Sequence, residues 1–225
     1  MQDITRPAYL DVLGLLVTGG MEKGRVLLFG DFERQAIFKS ADGLELLRAA
    51  IPGLASHRLT YNCRNLPRIG YAVNAFSKLQ PGYKNFRRDD DGLAPVTVAY
   101  TSGGDQSRQL VKYVRNLQAE GFALNEITVL SPVRSGSVAE TTTDPWLRQV
   151  LRKADGQAAR PGQLRYCTIA QFKGLESRAV VLTDLDQRLV PNFEALLYVG
   201  LTRATDRLVA LIEKETFRVA LGVGK

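Results

Sequence analysis

Histidine is almost absent. His57 is the one histidine in 225 residues, which excludes a multi-histidine metal site and argues against a histidine-based triad as the chemistry of this chain. Cysteine is nearly as scarce. Cys63 and Cys167 stand far apart in the sequence, form no metal-spaced pair and read as reduced thiols. Long apolar runs are missing too: nothing approaches the roughly 20 residues that cross a bilayer. The opening MQDITRPAYL lacks the charged-then-apolar order of a signal peptide. The expectation is a cytoplasmic protein with no membrane association.

A working phosphate loop is also lacking. Gly19 and Gly24 have the spacing of the two P-loop glycines, but Arg25-Val26 follow where Lys-Ser/Thr is needed. The stretch also precedes an apolar run instead of following one, whereas a phosphate cradle needs strand, loop and then helix N-terminus. It reads as a turn.

What is present is an ordinary globular balance, 45% hydrophobic and 24% charged, tilted towards cations: Lys+Arg 30 against Asp+Glu 23, net +7. Such a balance favours a polyanionic partner. Short apolar runs alternate with helical patterns. Residues 25–31 (RVLLFGD), 95–100, 126–132, 163–172, 179–185 and 207–213 read as strands. Helices are expected over 7–17 and 43–50, from Pro67 with Ile69, Ala72, Val73 and Phe76 on one face, and after Asp105 as N-cap with Leu110, Val111, Val114 and Leu117 inward. Continuous apolar strands between helices indicate an α/β doubly wound, mainly parallel sheet. The charged stretch 85–95 (NFRRDDDGLAP) reads as a solvated loop.

Four stretches could carry chemistry. Gln35 follows the end of the run 25–31, where a parallel sheet places its ligands, and is either a ligand-side residue or a surface glutamine. Arg64 lies just before the helix at Pro67, as a capping-loop arginine or as a ligand-facing one. Gly174 in QFKGLES implies close backbone approach or positive φ, and Glu176 either accepts from a sugar hydroxyl or pairs with Arg178. Arg203, between two threonines at a helix–strand junction, either ends a helix or meets a phosphate.

Taken in order, GDFERQAIF, NCRN with AVNAF, TIAQFKGLES with VVL, and LLYVGLTRATDRL resemble motifs III, IV, V and VI of superfamily 1 helicases of the UvrD/Rep/PcrA type. The first twenty residues resemble the segment just after the acidic pair of motif II. The resemblance runs to about residue 212 and implies a RecA-like second motor domain over 59–225, preceded by the tail of a first over 1–58. It implies that Gln35 senses the γ-phosphate and that Arg64 and Arg203 reach the phosphates across an interdomain cleft. Gly174 and Glu176 would line the ribose and phosphate side. Phe38 would stack on bases, and Thr168, Gln171 and Lys173 would follow a single-stranded DNA groove, with RNA an alternative. ATP and Mg²⁺ are the implied cofactors.

The P-loop and the motif II Asp-Glu have no counterpart here, so the expectation is half an ATP site, negligible ATPase activity alone and an upstream P-loop domain supplied in cis or trans. Cys63, Gln171 and Ser40 stand where relatives carry two aromatics and a histidine, in the order aromatic, histidine, aromatic. Residues 133–163 leave no room for a large accessory insertion and should hold a loop with a helix near Trp146–Leu151. An incomplete N-terminal segment should expose an apolar edge at strand 25–29, covered by self-association or strand exchange. The rival reading is a non-enzymatic nucleic-acid-binding or regulatory module descended from a motor. A doubly wound enzyme for small molecules is a third, with no nucleophile–base pair or cofactor fingerprint to support it.

Overall fold

A computed structural model describes residues 7–29, 43–51, 53–57, 59–78, 82–154 and 159–220. The chain divides into two compact units, Met1–Leu59 and Thr60–Lys225.

The first unit contains α1 (Pro7–Leu16), α2 (Gly20–Lys23) and α3 (Gly43–Ala50). Leu10, Met21, Leu47 and Ile51 form its small core. The P-loop-like glycines lead into and out of α2, with Gly19 at φ 85 supplying the turn. The strand expected over 25–31 is not formed at residues 25–29. Val26 and Leu28 pack on the small core, while Leu27 (80% exposed) and Phe29 (65%) face outward. The side-chain alternation of a strand is there, but no strand among the described residues of this unit offers a ladder. The expected apolar edge is therefore present as exposed side chains and not as the edge of a sheet. Gln35, Phe38 and Ser40 lie outside the described residues.

The second unit runs β1 (Tyr61–Asn62), α4 (Pro67–Ser77), β2 (Asn85–Phe86), β3 (Val96–Tyr100), α5 (Gly103–Ala119), β4 (Ile127–Ser131), α6 (Val138–Thr141), α7 (Pro145–Val150), β5 (Leu151–Lys153), β6 (Leu164–Thr168), β7 (Ser177–Leu185), α8 (Phe193–Leu201), β8 (Ala204–Glu213) and α9 (Lys214–Ala220). Six strands form one all-parallel sheet in the order β3-β8-β7-β4-β6-β5, and β1 pairs with β2 in a separate parallel ladder. This is the doubly wound α/β architecture that the apolar runs predicted. The centre of the sheet is covered on both faces, so β7 is buried at every residue but Arg178. Ala179, Val181, Val209 and Leu211 meet Leu110, Val114 and Leu117 of α5 on one side. On the other side α8 comes so near that a Cβ on Gly200 would lie 3.0 Å from Ile169 and Leu182.

Three local expectations need correction. The N-cap of α5 is Ser102, whose Oγ accepts from the Asp105 N–H, while Asp105 accepts from the Thr101 N–H. Strand β6 ends at Thr168, and residues 169–174 form turns. The buried face of α4 is Ile69, Gly70, Val73 and Ser77, in place of the expected set that included Ala72 and Phe76. The helix packs on α8 and β8, and the ring of Phe86 lies against Gly70 and packs edge-on with Tyr71 at 5.1 Å and Tyr83 at 6.4 Å.

A Cβ on Gly70 would stand 2.2 Å from Phe86 Cε1. Gly70→Ala is therefore expected to cost about 1–3 kcal/mol by overpacking, read as a lower urea midpoint. Adding Phe86→Ala should make the alanine at position 70 nearly neutral. Equal costs of Gly70→Ala in both backgrounds would show that the ring does not set the packing.

Candidate functional site

The loop before α4 and the junction between α8 and β8 meet at the amino ends of β7 and β8. Asn62 organises the first of these. Its Oδ1 accepts from the N–H groups of Arg64 and Asn65, both at 3.0 Å, and its amide donates to Asn65 Oδ1 at 3.0 Å. This Asx-type turn ends at Pro67, in the first position of α4, and leaves the Arg64 side chain partly open to solvent. Arg64 Nε donates to Glu176 Oε2 at 2.9 Å.

Arg203 sits at the end of α8 and is 1% exposed. Its Nε donates to Val199 O (3.0 Å), Nη1 to Leu175 O (3.1 Å) and Nη2 to Thr202 Oγ1 (3.0 Å). It makes no ion pair among the described residues. Burial, and then the neighbouring Arg64 cation, pull its pKa below the ordinary arginine value, to about 10. Two guanidinium groups thus share one neighbourhood; the outer one is paired with Glu176, whose charge also favours the inner cation, while the inner one makes no ion pair of its own among the described residues.

Next to them lies a shallow, open pocket lined by Cys63, Arg64, Arg88, Glu176, Arg178, Thr205 and Asp206. Arg178 bridges Asp206 and Glu126, each at 2.8 Å, and Arg88 donates to Asp206 Oδ1 at 2.5 Å. Burial alone would raise the Asp206 carboxyl, but Arg88 and Arg178 outweigh it and hold the group below the usual carboxylate range. The pairing of Glu176 with Arg178, the plainer of its two sequence readings, is not made: Glu176 takes Arg64, and Arg178 is occupied elsewhere.

The turn 169–176 joins this pocket to the carboxyl end of β6. Thr168 and Gln171 close on each other, with Gln171 Oε1 accepting from Thr168 N (3.1 Å) and Oγ1 (3.0 Å). Ile169 and Phe172 are buried under the turn, at 0% and 1% exposure, and Arg165 lies 4.9 Å over the Phe172 ring. Gly174 has φ +90 with open space where a Cβ would sit. Of its two sequence readings, positive φ is the one realised. Lys173 is half-buried in the same turn.

Of the nine residues singled out from the sequence, Arg64, Gly174, Glu176 and Arg203 gather at the amino ends of β7 and β8. Thr168, Gln171 and Lys173 lie along the turn from β6, and Gln35 and Phe38 are outside the described residues. Sequence reasoning misses two residues. Asn65 is 2% exposed and reaches the carbonyls on either side of Arg203. Arg88 lies in the stretch read as a solvated loop, which is in fact tied down by Arg68–Asp90, Arg88–Asp206 and Arg207–Asp91 pairs. The spacing Asn62–Asn65 ahead of Pro67 is the signal that could have marked the first. Nothing local marks the second.

Comparison with known proteins fits this arrangement. Residues 164–211 match the model of the UvrD-like helicase C-terminal domain. That span holds Thr168, Gln171, Lys173, Gly174, Glu176 and Arg203. The fold is similar to the C-terminal domain of a possible DNA helicase from Lactobacillus plantarum WCFS1, at 16% identity and a TM-score of 0.51, over 68% of this chain and 88% of that one. No curated protein matches. Both likenesses meet the resemblance to a UvrD-like C-terminal domain read from the motifs. No helix among the described residues is long and apolar enough to cross a membrane.

Proposed function

We propose that this chain is the C-terminal motor lobe of an ATP-dependent superfamily 1 DNA helicase or translocase, acting on nucleotide held by a P-loop lobe in cis or trans. The observation that carries it is Arg203, a buried guanidinium with no ion pair among the described residues and a second arginine close by. Burying a cation without a carboxylate costs folding free energy. The cost is rational if an anion completes the site. The charge of phosphoryl transfer is spread over oxygens, and a planar, permanently charged guanidinium meets it bidentately.

The residues present fit the phosphate end of ATP. Arg203 and Arg64 would take the phosphate oxygens, with Glu176 at the ribose hydroxyls and Gly174 supplying the positive-φ turn that leads to it. ATP supplies the phosphoryl chemistry when bound. Among the described residues no cluster of three His, Cys, Asp or Glu could hold a metal ion, so Mg²⁺ in this scheme belongs to the complementary lobe. Thr168, Gln171 and Lys173 would follow a single strand, with Phe38 stacking a base. The exposed Leu27 and Phe29 are the surface for self-association.

The test is paired. A single-stranded oligonucleotide should bind with an affinity that falls steeply as salt rises. The chain alone should not turn over ATP. Turnover proportional to chain concentration would contradict the half-site, and salt-independent or absent strand binding would contradict the groove.

A further inference from the structure

Two like charges do not stay together unaided. Arg64 and Arg203 come from segments 139 positions apart, and the Arg64 cation disfavours that of Arg203. A site that waits for an anion must therefore hold them in place by other bonds.

Those bonds are on view. Asn65 Nδ2 donates to Thr202 O at 3.3 Å and to Ala204 O at 2.6 Å, the carbonyls immediately before and after Arg203. The adjacent Leu66 N–H donates to Thr205 O at 3.2 Å. From the other side one guanidinium closes the seam. Arg88 Nη1 donates to Arg64 O at 3.0 Å and to Thr205 O at 2.8 Å, and its Nη2 takes Asp206. Every acceptor except Asp206 is a main-chain carbonyl of the segment bearing Arg64 or of the one bearing Arg203. Asn65 is itself buried and held by Asn62, so its amide cannot swing away without orphaning buried groups.

We infer that Asn65 and Arg88 are positioning residues, which clasp the Arg64 loop to the Arg203 junction so that the two guanidinium groups meet a polyphosphate as one preformed pair. The ligand class rests on the function proposed above, but the clasp does not. A neutral amide does the inner work because a cation there would add to the repulsion. A forked cation does the outer work because it can reach two carbonyls and a carboxylate at once.

The test uses the whole chain, Asn65→Leu and Arg88→Lys, with two readouts. The first is hydrogen exchange of the Arg203 Nε–H, which is bonded to Val199 O, in the absence of ligand. The second is titration with inorganic tripolyphosphate, followed at the Arg64 and Arg203 side-chain signals. In the wild type the exchange should be slow and both arginines should report one dissociation constant. In each variant exchange should quicken at least about tenfold, and binding should weaken by about the same factor, the loss of one to two hydrogen bonds, with the two arginines reporting different constants.

Unchanged exchange together with one shared constant in both variants would overturn the clasp. If tripolyphosphate moved neither arginine in the wild type while the variants still exchanged faster, the phosphate reading would fall and the clasp would stand. If Asn65→Leu did not fold, Arg88→Lys alone would decide by the same two readouts.

Discussion

Arg203→Met is expected to weaken binding of a triphosphate by about 10- to 100-fold, the loss of hydrogen bonds to a charged group, while leaving the thermal midpoint unchanged or raising it. The two halves of this result belong together. The depression of the Arg203 pKa below the ordinary arginine value, to about 10, corresponds to about 3 kcal/mol spent on keeping the guanidinium charged where it sits. A methionine of similar length would fill the same channel without that cost. Against the gain stand the donors lost by Val199 O and Leu175 O, each a modest net loss. An arginine that merely ended a helix would behave the other way, with stability falling and anion binding unaffected. In a motor whose P-loop lobe is present, the same substitution should lower turnover by about 10³- to 10⁵-fold, the range found for arginine fingers.

The pH dependence carries the same sign. A base whose folded pKa is depressed weighs against folding at every pH where it must be charged, here below about 10, and the burden lifts as pH rises from there towards the ordinary arginine value. A bound anion favours the charged form and should raise that pKa again.

Phe172→Ala should have the largest effect on stability, about 3–5 kcal/mol for a fully buried ring. The urea midpoint should fall with little change in slope. Phe172 is 1% exposed. It anchors the turn that carries Lys173, Gly174, Leu175 and Glu176, and it lies under the Arg165 guanidinium. Its loss should also blunt the site, because the Leu175 carbonyl that orients Arg203 hangs from that turn. Arg165→Met, which keeps contact with the ring but removes the charge, should cost much less. Equal losses for the two variants would mean that the cation and not the buried ring holds the turn.

The sheet is readable because its central strands are buried on both faces, and runs such as Val180–Leu182 or Leu208–Ile212 admit few other structures. Turn 169–172 is not, because Ile169 and Phe172 also suit a strand. What ends β6 is a side-chain contact, Thr168 to Gln171, that composition does not reveal. The run 25–29 fails for the opposite reason: its alternation is correct, but a strand needs a neighbour to pair with. Arg64 and Arg203 are visible through their motifs. Asn65 and Arg88 are not, since the one acts on carbonyls 137 and 139 positions away and the other on one 117 away.

The most direct test of the central claim, that this lobe presents a paired guanidinium site to an anion, is a ¹³Cζ titration of Arg203 with and without tripolyphosphate. The expected outcome is a midpoint near 10 in the free protein that moves upward, beyond the titratable range, when the anion is present. A midpoint already at the ordinary arginine value, or one that saturating anion leaves where it was, would contradict the claim.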